Sequence, residues 1–511
     1  MNNEFKTNAL NFTEEEFNIA LQRMKHNHAS GRSFIDMTED ITSIEANWND
    51  FRNKIAEELE DGYEPKAATP IQIPKRNGKR KTVYLSLEDE FVLNLLVGRL
   101  YPAIYEDVKE FQGHYCFDTE LNSPEEQTHW IGKNDINEQE NVMETQRIGE
   151  RAKECEEAAV FVYDNRNEWN KFREELRKRK PLANECFLSI DLKNCYNSIQ
   201  HDLLKESLEK IPVDQSIVEL LMKMLSAWSL KPGRGIPMGY ESLDILVKHC
   251  LVQVDKALIA EGYDFTRYLD DYVFFGFNKN YQRDARYYGL KKIFKTHGLK
   301  MNKHKTKCQE HRVFLKQYEK LDDLKREISC SPIETDKGYL SVDEKYDEDF
   351  HDDTVNYTAL CEEFKKRFGS VDDPDQTRVF FVIKERLDFS IIHFLLSRLA
   401  MCKSNIAEDF CVWLLKEFPH ETLYVVHYFN HIRLSERTIK AIEKIVRKRF
   451  LTVPYQVYLL INFCHKNYIT SKRMTKFCLK ISERKDEVPP YLLQTVDRFL
   501  NRGSITLPAA A

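Results

Sequence analysis

The sequence predicts an α+β fold over residues 1–320 and an all-α domain after them. Three observations carry that prediction. Two short runs rich in aromatic and β-branched residues, FTRYL and YVFFG within Phe265–Gly276, meet at Asp270-Asp271 and read as a strand hairpin. An upstream apolar run ending in an acid, CFLSIDL at Cys186–Leu192, reads as a further strand. From about Tyr339 strand signals vanish, and amphipathic helices follow one another.

At 511 residues the chain has room for two or three domains with ample core. Its 76 Lys and Arg against 82 Asp and Glu leave a net charge of −6. Nucleic-acid binding would therefore depend on local basic patches and not on a global field. The 12 cysteines are scattered without a C-x-x-C pair, which argues against a zinc site and for a reducing cytoplasm. The opening MNNEFKTNALNFTEEEF holds no apolar signal core, and no apolar run reaches membrane-spanning length. A cytoplasmic protein with no membrane partner is expected.

Residues 1–69 form an N-terminal helical segment. Thr13 is an N-cap followed by the acidic first turn Glu14–Glu16, and Phe17, Leu21 and Met24 make an apolar stripe. Pro70–Leu85 is a hairpin about Asn77-Gly78, its tip crowded by Lys75, Arg76, Lys79, Arg80 and Lys81. Glu88–Tyr105 is an apolar helix. Leu121–Ala152 is acidic and polar, an insertion or loop. Trp169–Lys180 is an amphipathic basic helix, read as a solvated face. Gly233–Gly239, GRGIPMG, is a glycine loop leading into the apolar helical run Ile245–Ile259. The later helices are Val355–Phe368, Gln376–Met401, Ala407–Phe418, Thr422–Ile432, Glu436–Phe450, Tyr455–Lys466, Lys472–Glu483 and Tyr491–Phe499. Pro419, Pro454 and Pro489-Pro490 punctuate them. Short helices at similar spacing fit an α-solenoid of HEAT-like character over residues 321–511, or a compact bundle.

The chemistry lies in the acids. Two adjacent carboxylates at the tip of an apolar hairpin disfavour joint ionisation. A divalent cation removes that cost, and oxygen-only ligands suit Mg2+ or Mn2+. Asp191 ends a buried-type run, where an unpaired carboxylate is costly. It can join Asp270 only through tertiary structure. A bare acidic turn is the plainer reading of Asp270-Asp271; Tyr268-Leu269 and the second acidic strand tell against it.

A carboxylate strand, a glycine loop before a helix and a double-Asp hairpin, in that order, resemble motifs A, B and C of a reverse transcriptase palm. The resemblance covers about Pro70–Tyr318 and makes residues 70–320 the fingers and palm. It implies that Asp191, Asp270 and Asp271 are catalytic and bind metal, with the Leu192 backbone carbonyl beside them. Tyr196 matches the aromatic steric gate that excludes a 2′-hydroxyl. The basic hairpin resembles the fingers pattern PK-x-x-G-K-x-R, which holds the incoming triphosphate. Lys75 and Lys79 match it, and Lys81 stands in place of Arg, a point charge instead of a fork. Gly239 lets backbone approach the nascent base pair. GLKMNKHKT resembles motif D, with Gly298, Leu299, Asn302, Lys305 and Thr306 in place, and implies that Lys305 neutralises or protonates the leaving pyrophosphate. Phe314-Leu315 resembles the start of the primer-grip hairpin.

Motif B departs from the family's G-x-PQG: Met238 replaces Gln, and the Ser-Pro that follows is absent. With the helical C-terminal half, this is most similar to the abortive-infection reverse transcriptases (AbiK, AbiA and the shorter prophage-encoded members). That resemblance implies a bacterial anti-phage polymerase that adds deoxynucleoside triphosphates without a template. It also implies initiation on one of the protein's own tyrosines, a single-stranded DNA product joined to it, and assembly as a homo-oligomer. Two other readings stand beside it: an ordinary RNA-templated reverse transcriptase of retron or group II type, and a non-catalytic scaffold that binds a phage or host protein.

Overall fold

The computed structural model of the chain describes residues 10–29, 31–76, 78–112, 115–116, 165–179, 185–316, 324, 328, 356–369 and 387–502. The expected insertion at Leu121–Ala152, Asn77 of the hairpin turn and the start of the helix expected from Gln376 lie outside them. The chain divides into two units, residues 1–70 with 82–317, and residues 71–81 with 318–511.

The first unit opens with α1 (Glu14–Ala29), α2 (Thr38–Ala46) and α3 (Trp48–Glu60). Thr13 caps α1 reciprocally: its hydroxyl accepts the Glu16 N–H at 3.2 Å, and its own N–H donates to the Glu16 carboxylate at 2.7 Å. The hairpin strands β1 (Thr69–Lys75) and β2 (Gly78–Tyr84) have their base in this unit. The spine is α4 (Leu87–Val108), capped by Ser86 and buried on almost every side. A helix apolar all round belongs inside a domain. Phe17, Trp48 and Phe51 pack on its Phe91 with ring centroids 5.4, 5.7 and 5.2 Å away.

Beyond α5 (Asn165–Lys178) and β3 (Cys186–Asp191) come α6 (Cys195–Ser198), α7 (His201–Leu208), α8 (Gln215–Trp228) and α9 (Glu241–Ala260). The first unit continues with β4 (Phe265–Tyr268), β5 (Asp271–Phe277), α10 (Ala285–Thr296) and β6 (Lys307–Glu310). The sheet runs β4-β5-β3-β6, antiparallel throughout. Tyr272 and Phe274 of β5 pack against Phe265 and, from α10, Phe294, which lies 5.2 Å from Tyr272.

Three local features differ from the sequence reading. Asp271 lies in β5 and not in the turn, because its pairing with Tyr268 closes the hairpin one residue earlier. The polar segment KCQE forms edge strand β6, since an edge needs no apolar outer face. Residues 311–316, expected to begin a hairpin, are helical.

The second unit holds α11 (Tyr357–Phe368), α12 (Phe389–Met401), α13 (Glu408–Glu417), α14 (Thr422–Phe429), α15 (Glu436–Arg449), α16 (Pro454–Lys466), α17 (Lys472–Ser482) and α18 (Pro490–Arg502). Asp388, Ser435 and Ser471 cap their helices, and Pro454 takes the first helical position of α16, where no N–H is needed. Contacts are local. Helix α13 packs on α14 and α15, α15 on α16 and α17, α14 on α16, and α16 and α17 on α18. The hairpin tip clusters with this unit: the Arg76 guanidinium lies 5.1 Å over the Phe389 ring.

Candidate active site

The Tyr268–Asp271 pair leaves Leu269-Asp270 as a two-residue turn. Leu269 has φ 53°, a left-handed conformation that a bulky L residue seldom adopts. Such strain persists where the surroundings over-determine it. Here they do: the Leu269 carbonyl accepts from Arg267 Nη1 at 3.0 Å, and the Arg267 Nε donates to Asp255 Oδ2 at 2.8 Å. Both side chains of that pair are wholly buried. The Tyr272 hydroxyl donates to the other Asp255 oxygen at 3.0 Å. A buried, charge-assisted pair thus fixes the turn that carries Asp270.

Across the sheet, Asp191 of β3 stands in register with Asp271 of β5, and the Leu192 N–H donates to the Asp270 carbonyl at 3.2 Å. The fold therefore brings Asp191, Asp270 and Asp271 to one end of the sheet. Burial, then the charges of Asp270 and Asp191, push the Asp271 carboxyl up to about 6. Asp191 is held on both oxygens: Asn302 Nδ2 donates to Oδ2 at 2.9 Å and Lys305 Nζ to Oδ1. The backbone beside it is also fixed. Asn302 N–H donates to the Asp191 carbonyl at 2.8 Å, and Lys193 N–H to Lys300 at 2.7 Å, bonds that do not use the Leu192 carbonyl. The hydrogen bond to Asp191 raises the Lys305 pKa, so this ammonium is charged beside the acids.

Three like charges gathered with a backbone carbonyl make an all-oxygen donor set, which suits a hard divalent cation. Among the described residues, no three acidic, histidine or cysteine side chains converge tightly enough to form a ready-made ligand cluster. The cation seated on Asp191 is the Lys305 ammonium. In residue type and charge the site fits Mg2+ or Mn2+.

Tyr196 is tied at both ends, to the glycine loop and to the first turn of α9. Its carbonyl accepts the Ile236 N–H at 2.9 Å, and its hydroxyl donates to Asp244 Oδ1 at 2.8 Å. Burial, then Asp244, hold its phenol well above the usual range and so protonated. Gly239 has φ 99°, and a Cβ there would lie 3.0 Å from the Phe34 ring and 3.3 Å from the Arg32 carbonyl. Its own carbonyl accepts from Asn27 Nδ2 at 3.2 Å. Asn27 also donates to Glu90 at 3.0 Å, and Glu90 faces the buried His28 at 2.9 Å. The N-terminal segment is thereby built onto the glycine loop.

The hairpin residues Lys75, Lys79 and Lys81 belong to the second unit, where Lys79 Nζ donates to Gln72 at 3.1 Å. The other candidates named from sequence share the first unit. Sequence reading missed Asp255, Arg267, Asp244 and the His28–Glu90 pair. The signal for Arg267 was a charge inside a strand of otherwise core-type residues. For Asp255 it was an acid within an apolar helical run.

Residues 133–338 match the reverse transcriptase (RNA-dependent DNA polymerase) family. A stretch of 136 residues is 28% identical to the COX1/OXI3 intron 1 protein of Saccharomyces cerevisiae, over 24% of this chain and 15% of that protein. Among solved structures, apo telomerase from Candida tropicalis is similar with a TM-score of 0.32 and 12% identity, over 91% of this chain and 72% of that one. Its form truncated from the C-terminal domain gives a TM-score of 0.28 and 15% identity, over 52% of this chain. The chain spans 15% of the length of the intron protein and 55% of that truncated telomerase.

Proposed function

We propose that this chain, which carries a reverse transcriptase domain, is a DNA polymerase of bacterial abortive-infection defence that adds deoxynucleotides without a template, beginning on a tyrosine of the protein itself. The observation that carries the polymerase reading is the register of Asp191 with Asp271, with Asp270 in the adjoining turn. A bound divalent cation would offset the cost of gathering these acids. The untemplated reading rests on motif B. Met238 stands where a polar side chain would be expected to read the template.

Asp191, Asp270 and Asp271, with the Leu192 carbonyl, would hold two Mg2+ or Mn2+ ions. When bound, these supply activation of the attacking hydroxyl and neutralisation of the departing pyrophosphate. Asn302 orients Asp191. Lys305, charged and next to the acids, would meet the pyrophosphate. Lys75, Lys79 and Lys81 would bind the triphosphate, Tyr196 would exclude a 2′-hydroxyl, and Gly239 would border the nucleotide. Positioning and fixed charge supply most of the rate enhancement in such a site. The second unit is read as a HEAT-like array, supported by the packing of its described helices chiefly on their next and next-but-one neighbours. The product is single-stranded DNA joined to the protein, and the protein is a homo-oligomer in the cytoplasm. Among the described residues no helix is long and apolar enough to cross a membrane.

The test is incubation with Mg2+ and labelled deoxynucleotides, without template or primer, followed by denaturing electrophoresis with and without protease. Label that travels with the protein and is freed by protease is the expected result. Asp270→Asn should abolish it while leaving the melting curve intact; a well-folded, active variant would sink the two-metal assignment. The matched family is described as RNA-dependent, which favours a second reading. Extension only when template and primer are supplied would establish templated synthesis instead. Silence under both conditions would favour the scaffold.

A further inference from the structure

We infer that Asp244 is a positioning residue that sets the sugar selectivity of the site by tethering the Tyr196 ring. The inference rests on the reading of Tyr196 as the gate and adds the part of the chain that holds the gate in place.

A gate works by leaving no room, so its selectivity depends on where the ring can move. An aromatic side chain fixed only at its Cβ can yield to a hydroxyl. Tyr196 is fixed at both ends. The Ile236 N–H holds its backbone carbonyl at 2.9 Å, and Asp244 Oδ1 accepts its hydroxyl at 2.8 Å. Asp244 is itself braced, because its other oxygen faces Arg32 Nη1 at 3.7 Å. Arg32 comes this close because the segment that carries it packs on residue 239, where a Cβ would crowd both Phe34 and the Arg32 carbonyl. Asp244 lies in the first turn of α9, where an acid is favoured by the helix dipole in any case. The dipole alone requires no bond to Tyr196 and no facing arginine. The absence of Ser-Pro from motif B has a structural counterpart here. The helix instead starts with residues that reach back to the gate and to the N-terminal segment.

The test is equilibrium dialysis of the full chain against labelled α,β-imido analogues of dATP and ATP with Mg2+, whose α–β bridge cannot be broken, so that binding is read without turnover. The readout is the ratio of the two affinities, which a general loss of stability would not move selectively. Tyr196→Ala should abolish the preference for the dATP analogue. Asp244→Ala should reduce it by about ten-fold or more. Tyr196→Phe, which removes only the hydroxyl and keeps the ring, should match Asp244→Ala, and the double variant should lose nothing further. Asp244→Asn retains an accepting oxygen and should hold the preference near the wild-type ratio. Tyr196→Phe carries the test if Asp244→Ala fails to fold.

Tyr196→Ala relaxed while Asp244→Ala and Tyr196→Phe keep the wild-type ratio would overturn the tether alone. Asp244→Asn as relaxed as Asp244→Ala would also overturn it, since an accepted hydrogen bond would then not be the cause. A wild type that binds neither nucleotide or binds both equally, or a Tyr196→Ala that keeps the preference, would overturn the gate reading and the tether with it.

Discussion

At the scale of residues, the buried pair His28–Glu90 carries the clearest pH signature. Burial opposes charge on His28, but the Glu90 carboxylate 2.9 Å away outweighs it, with Asp36 adding to the effect, and the imidazole pKa is raised. A histidine raised in the folded state adds stability that is complete below its ordinary pKa and is lost as pH rises through the folded value. The melting temperature should therefore fall as pH climbs from below the ordinary histidine range through that raised value. His28→Gln should flatten this dependence; a variant with the wild-type slope would assign it to other groups. Asp191, Asp270 and Asp271 were legible one by one, because adjacent acids between apolar strands are chemically conspicuous. Asp244 was not, since its meaning lies in a hydrogen bond across 48 residues of sequence.

At the scale of elements, the β4–β5 hairpin shows what holds an acidic turn. Its strand character was readable from FTRYL and YVFFG, but the boundary was not. The closing pair Tyr268–Asp271 is set by register with β3, which no local pattern encodes. The Arg267–Asp255 pair beneath the turn is fully buried. Removing one partner leaves a charge without compensation, so Asp255→Leu should cost about 3–5 kcal/mol in urea unfolding. A loss below about 1 kcal/mol, the scale of an exposed ion pair, would show that water reaches the guanidinium. Helices α7 and α8 escaped the sequence reading although Asp214 caps α8 and Ile217, Leu221 and Trp228 lie on its buried face. The strand and loop signals on either side drew the reading past them.

At the scale of the whole molecule, the two units follow different rules. The first is knit by long-range pairing, such as Asp191 with Asp271 and Asn27 with Gly239. The second is a succession of helices that touch near neighbours, so its stability should be roughly a sum of local terms. Ending the chain before Pro490 should speed amide exchange most in α16 and α17, which pack on the lost helix, and least in α12 and α13. Uniform acceleration across 389–482 would instead mark one cooperative core. The sequence by itself determined the class of each half, the positions of most of the helices and which acids stand out chemically. Those depend on periodicity, capping and residue chemistry, all of which act within a few residues. Only the tertiary structure decided that Asp191 meets Asp271, that Arg267 and Asp255 hold the turn, and that residues 71–81 cluster with the helical unit. The physical reason is that strand register and buried charge pairing are settled by which distant surfaces exclude water together, and that choice is written in no single stretch of chain.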